Sequence, residues 1–135
     1  MNTSNEPTDY MLLFRGKHWD RGLSPEELQR TIDRVMAWME GLKEQGKVKA
    51  GQPLGPESKM VSGKNGRTVA DGPFAESKEA VGGFLQIEAA TLDEAVAIAK
   101  TCPTLEYGIT IEVRPVLEEC PIFKRVKEQL ALATA

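Results

Sequence analysis

The side chains with the most chemistry to offer fall in three places along this chain. The first is Asp71-Gly72-Pro73-Phe74-Ala75-Glu76-Ser77-Lys78-Glu79, a charged stretch closed by Gly82-Gly83. Asp71 has the chemistry of a general base or of a ligand acceptor at a cavity mouth. Lys78 suits holding an anionic ligand or tuning a nearby carboxylate. The second is His18, the sole histidine and the conventional acid–base group near neutral pH. It sits in Gly16-Lys17-His18-Trp19-Asp20-Arg21-Gly22, a loop dense in groups that bind or exchange protons. The third is Gln86, Glu112 and Arg114, polar residues alternating with apolar ones, in which Arg114 suits an anion holder. Such groups can support proton transfer without a cofactor, for example isomerisation or elimination on a small polar organic molecule. A single histidine nearly rules out a zinc site of the usual Cys/His spacing. Ser77 has no histidine near it in sequence to make it a nucleophile.

Each candidate has a plainer reading beside it. Asp71-Gly72-Pro73 is also what a stiff turn needs: a side chain that bonds its own backbone, a permissive residue and a fixed φ. Glu76, Lys78 and Glu79 can be a solvated loop, and His18 a surface histidine. Glu112 and Arg114 can pair across a dimer. Gly82-Gly83 reads as a bulge or a close backbone approach, because no strand-loop-helix context makes it a phosphate cradle.

The elements that must position these groups follow from pattern. The chain has 135 residues, 41% hydrophobic and 27% charged, which suits one soluble globular domain. A formal charge of −3 and a pI near 5.3 argue against nucleic acid as a partner. Its apolar runs are far too short for a membrane span, and no secretory leader is visible. Cys102 and Cys120 make no disulfide framework, so a cytoplasmic protein with reduced thiols is expected. Residues 1–8 are polar and read as a disordered end, 9–116 as the domain, and 117–135 as a helical extension.

Tyr10 to Phe14 reads as a strand that is apolar on both parities. Ser24, Pro25 and Glu27 announce a helix with a capping box, and Leu28, Ile32, Val35, Met36, Met39 and Leu42 form its stripe up to Gly46. Val48 to Leu54 holds Gly51 and Pro53 and can be only an irregular or edge segment. Two short strands, Lys59–Ser62 and Arg67–Ala70, flank the hairpin signal Asn65-Gly66. Val81 to Glu88 is a strand, Thr91 caps a second helix, and Ile109 to Arg114 is a last strand ended by Pro115. A short amphipathic helix follows Cys120-Pro121.

The order β-α-β-β-α-β plus a C-terminal helix predicts a ferredoxin-like α+β domain with both helices on one face of an antiparallel sheet. The other face then carries Gln86, Glu112 and Arg114 among apolar residues. A first strand that is apolar on both sides needs cover on both sides. A second copy packed sheet to sheet is the economical cover and predicts a homodimer; the alternative is the C-terminal helix folding over that face in cis.

Tyr10-Met11-Leu12-Leu13, the Asp71–Glu79 motif with Gly82-Gly83-Phe84, Asp93-Glu94-Ala95 and Ile111-Glu112-Val113-Arg114-Pro115 resemble the DGPF branch of the YCII-related family. The resemblance covers about Tyr10 to Val116. It implies a ferredoxin-like subunit and a dimeric α+β barrel, but no settled activity. Smaller YCII-type relatives carry a histidine early in the first helix, proposed to form a dyad with an acidic residue. This chain has none between Ser24 and Gly46, so the resemblance brings no such dyad with it. DGPF-type domains also resemble ones found beside extracytoplasmic-function sigma factors. Two functions therefore stand open: a barrel that binds or transforms a small polar molecule, and a non-catalytic interaction module linked to transcription initiation.

Overall fold

The computed structural model describes residues 8–16, 19–73 and 80–134. Six strands and three α-helices alternate along them: β1 (Asp9–Arg15), α1 (Pro25–Glu44), β2 (Val48–Pro53), β3 (Lys59–Ser62), β4 (Thr68–Asp71), β5 (Val81–Glu88), α2 (Leu92–Ala99), β6 (Thr110–Val116) and α3 (Pro121–Thr134). Four strands form an antiparallel sheet in the order β2-β5-β1-β6, and β3 with β4 forms a separate hairpin. The class is α+β, as the pattern predicts, with the hairpin inserted between β2 and β5.

β1 is central because it can be: Tyr10 and Leu12 are buried on one side while Met11 and Leu13 are half-buried on the other. Leu85 and Ile87 of β5 lie on the same side as Leu12 and, with Ala95, Ile98 and Ala99 of α2 and Leu42 of α1, complete the core. Ile111 and Val113 of β6 pack against it from the sheet edge.

Local chemistry sets the helix ends. Ser24 Oγ accepts from Glu27 N–H at 3.1 Å and Ser24 N–H donates to Glu27 Oε1 at 3.0 Å, closing the capping box. At the other end Gly46 adopts φ 71°, so its N–H reaches Lys43 O and Lys47 N–H reaches Leu42 O, a Schellman stop.

The buried face of α1 is rotated from the expected stripe. Ile32 and Met36 face outward, while Thr31 is buried among the apolar residues. Its hydroxyl lies 2.9 Å from Glu27 O and 3.1 Å from Tyr107 Oη, so a polar side chain sits there at little cost. Trp38 completes this face and donates from Nε1 to Thr101 Oγ1 at 2.6 Å.

β2 is an edge strand with a bulge between Val48 and Ala50. Gly51 fits closely in it: a Cβ would stand 2.8 Å from Leu85 Cδ1 and 3.1 Å from Phe84 O, so both neighbours would have to shift for a larger residue. Pairing in β6 runs through Pro115 to Val116, two residues beyond the expected end at Arg114. As an edge strand it has no neighbour on one side, and a missing N–H is tolerated there. None of the described residues of α3 is buried, so it does not cover the open face of the sheet in cis. Among the described residues no helix is long and apolar enough to cross a membrane.

Candidate functional site

A cleft of about 740 Å³ opens at the end of the sheet where β1 finishes and β5 begins. One wall is Gly16 with Trp19 and Asp20 from the turn that follows β1; another is the linker Leu54–Ser58 with Met60 of the hairpin. Pro73 and the run Ala80–Gly82 close it.

Backbone contacts tie these walls together. Gly16 N–H donates to Ala80 O at 3.3 Å, and Leu54 N–H donates to Gly82 O at 2.9 Å. Gly16 has φ 132°, and a Cβ there would stand 3.3 Å from Ile109 Cα, so only glycine suits this corner. The register of β1 and β5 shifts between Phe14 and Arg15, opposite Gly82. At Gly83 a Cβ would approach Gln52 O to 3.1 Å. The double glycine is therefore both a bulge and a close approach, as its sequence suggests.

Trp19 is held from behind. Its ring stacks on Tyr107 with centroids 5.9 Å apart and planes at 28°. The Tyr107 hydroxyl is in turn 3.1 Å from Thr31 Oγ1, so a buried threonine on α1 steadies an aromatic wall of the cleft. Next to it Arg34 Nη2 donates to Glu106 Oε1 at 2.9 Å, and this hydrogen bond holds the guanidinium pKa above its usual value.

Asp71 ends β4, outside the lining of the cleft. Its side chain is 85% exposed, and Lys59 Nζ donates to its Oδ1 at 2.6 Å across the hairpin. The following residue does shape a wall. Gly72 N–H donates to Ser58 O at 3.0 Å, and a Cβ on Gly72 would lie 1.7 Å from Ser58 Oγ. His18 and Lys78 lie outside the described residues. In sequence, His18 falls between Gly16 and Trp19, and Lys78 between Pro73 and Ala80. The described residues that flank these two gaps, Gly16, Trp19, Pro73 and Ala80, all line the one cleft.

The remaining candidates share the open face of the sheet. Glu112 pairs through Oε1 with Arg15 Nη2 at 2.9 Å and through Oε2 with Arg114 Nη1 at 3.5 Å. Gln86 joins a different group: its Nε2 donates to Asp9 Oδ2 at 3.0 Å. Lys49 lies 2.9 Å from Asp9 Oδ1 and, with Gln86, holds that carboxyl below its ordinary range against the opposing effect of burial. The same hydrogen bond to Asp9 raises Lys49. The structure thus brings Glu112 and Arg114 together, places Gln86 on the same face in another cluster, and puts Asp71 elsewhere.

Sequence reasoning passed over Arg15, Asp9 and Tyr107. Arg15 and Asp9 share the parity of Met11 and Leu13, which alone could have put them on the open face. No local signal joins Tyr107 to Trp19, which lies far from it in sequence.

Comparison with known proteins adds three findings. The pattern of the YCII-related domain matches residues 9–119. An uncharacterised protein of Rhizobium meliloti (strain 1021) is 34% identical over 102 residues, spanning 68% of this chain and 77% of the relative. The 5-chloro-2-hydroxyhydroquinone dehydrochlorinase of Burkholderia phenoliruptrix AC1100, solved with 2,5-dihydroxybenzoquinone, is 22% identical with a TM-score of 0.43, covering 82% of this chain and 95% of that one.

Proposed function

This chain belongs to the YCII-related domain family, and on that footing we propose that it binds a small polar organic molecule in the cleft at the end of its sheet and transforms it by acid–base chemistry. One observation carries the reading. Gly16 and Trp19, on either side of His18 in sequence, and Pro73 and Ala80, which bracket Lys78, meet around one cavity. Described residues next to two charged segments far apart in sequence thus border a single opening of a size that suits a small ligand.

In this reading His18 exchanges the proton and Lys78 holds an anionic group of the ligand. Asp71, at the foot of the hairpin and paired with Lys59, lies outside the lining of the cleft and takes no part in this step. Trp19 supplies an aromatic wall, and no step requires a cofactor. The subunit is ferredoxin-like, and its open face, with Met11, Leu13 and Phe84 at the centre, is closed by a second copy into a dimeric α+β barrel. Gln86, Glu112 and Arg114 then lie between the two sheets.

A thermal-shift screen of small hydroxylated and carboxylated organic compounds tests the site. A hit stabilises the wild-type chain and loses most of that shift in Trp19→Ala. With such a hit, His18→Ala lowers turnover and Lys78→Ala weakens affinity. If both variants keep wild-type affinity and turnover, the acid–base assignment is wrong.

A further inference from the structure

Resting on the homodimer reading above, we propose that the charge layout of the open face fixes how two copies lie together, through an ion pair between Glu88 of one copy and the partner's Arg114.

The apolar centre of that face is Met11 and Leu13 of β1 with Phe84 of β5. A charged cluster lies on each side of it. At one corner Asp9 and Glu88, opposite each other on β1 and β5, surround Lys49 and leave one surplus negative charge. Toward the other edge Arg15 and Arg114 surround Glu112. Asp9 and Arg15 stand at the two ends of β1, about 20 Å apart at the usual rise per residue.

Each cluster contains one close pair and one loosely held charge. Asp9 and Lys49 are 2.9 Å apart, whereas Glu88 is 3.9 Å from Lys49 with its side chain 56% exposed. Arg15 and Glu112 are 2.9 Å apart, whereas Arg114 is 3.5 Å from Glu112 with its side chain 67% exposed. The loosely held charges have opposite signs and stand on either side of β1, Glu88 beside Asp9 and Arg114 beside Met11. A single face with this layout is complementary to itself, which is what an isologous contact requires. A foreign partner of one charge sign would match only half of it.

The layout also selects an orientation. A two-fold axis in the interface and parallel to the strands lays Glu88 over the partner's Asp9, a like-charge contact. An axis oblique to the strands through the apolar centre lays Glu88 over the partner's Arg114, twice by symmetry. Desolvation by the surrounding apolar residues strengthens both copies of the pair, and like charges there are strongly disfavoured.

Sedimentation equilibrium of the full chain tests this. Glu88→Arg and Arg114→Glu should each raise the dimer dissociation constant roughly tenfold or more in low salt, and the double variant should return it to within about threefold of wild type. The neutral changes Glu88→Gln and Arg114→Gln should weaken it by a smaller factor, with far-UV circular dichroism confirming the fold. A dimer indifferent to the single reversals, or a double variant as weak as the two combined, overturns the ion pair while leaving the dimer standing. A wild-type chain that is monomeric at every concentration overturns the dimer and this pair with it.

Discussion

At the scale of single residues, the most constrained position in the Asp71–Glu79 motif that the structure describes is Gly72. A Cβ there meets Ser58 Oγ at 1.7 Å and, even if that hydroxyl swings away, Ser58 Cβ at 2.8 Å. Gly72→Ala is therefore expected to cost about 1–3 kcal/mol in urea unfolding, with Ser58→Gly in the same chain recovering at least half. Equal losses in the single and double variants would show that the contact is not the cause. Asp9 makes a pH prediction. Its folded pKa is lowered, chiefly by Lys49, so its contribution to stability is present above the unfolded value of about 4 and is lost as pH falls through the lower folded value. The stability gap between wild type and Asp9→Asn should close below about pH 4. Lys49, which is raised, contributes on the opposite side: its share is present below its usual value of 10.5 and fades as pH rises through its folded value.

Elements differ in how far their sequences announce them. The ends of α1 and α2 are legible because caps are local: Ser24 with Glu27, and Thr91 Oγ1 accepting from Glu94 N–H at 3.0 Å. Asn65-Gly66 likewise turns the hairpin, both residues adopting positive φ. The face of α1 is less legible. Counting apolar residues puts Ile32 and Met36 inside, but Thr31 takes the inner place because two hydrogen-bond partners, Glu27 O and Tyr107 Oη, await it. Neither partner is visible to a periodicity argument. Tyr107→Ala should remove the surface Trp19 rests on and red-shift its emission, best read with Trp38→Phe so that one tryptophan reports. Because α3 buries nothing, removal of residues 117–135 should move the melting temperature of the subunit by less than about 4 °C, equivalent to under 1 kcal/mol. A larger drop would place α3 within the stable fold.

At the scale of the whole molecule, the antiparallel sheet has two faces with different fates. One is filled by α1 and α2 around Leu12, Leu85 and Ile87. The other stays open, with an apolar centre and charge of opposite sign on either side. That second face was legible from Tyr10–Phe14, which is apolar on both parities, and from the alternation around Glu112 and Arg114. The cleft was not. Its walls come from the end of β1, the Leu54–Ser58 linker, the hairpin and the start of β5, and only the sheet order β2-β5-β1-β6 brings them together. Pro73 of the motif marks one rim of that cleft, and Trp19 marks another. The chain contains two tryptophans, so their two indole N–H signals in a proton–nitrogen correlation spectrum give the most direct test. On titration with a compound that stabilises the protein, the Trp19 signal and the amides of Gly16, Val81 and Gly82 should move while Trp38 stays in place. Shifts confined to α3 or to the hairpin tip at Lys64–Gly66, with Trp19 unmoved, would contradict the assignment of the cleft as the ligand site.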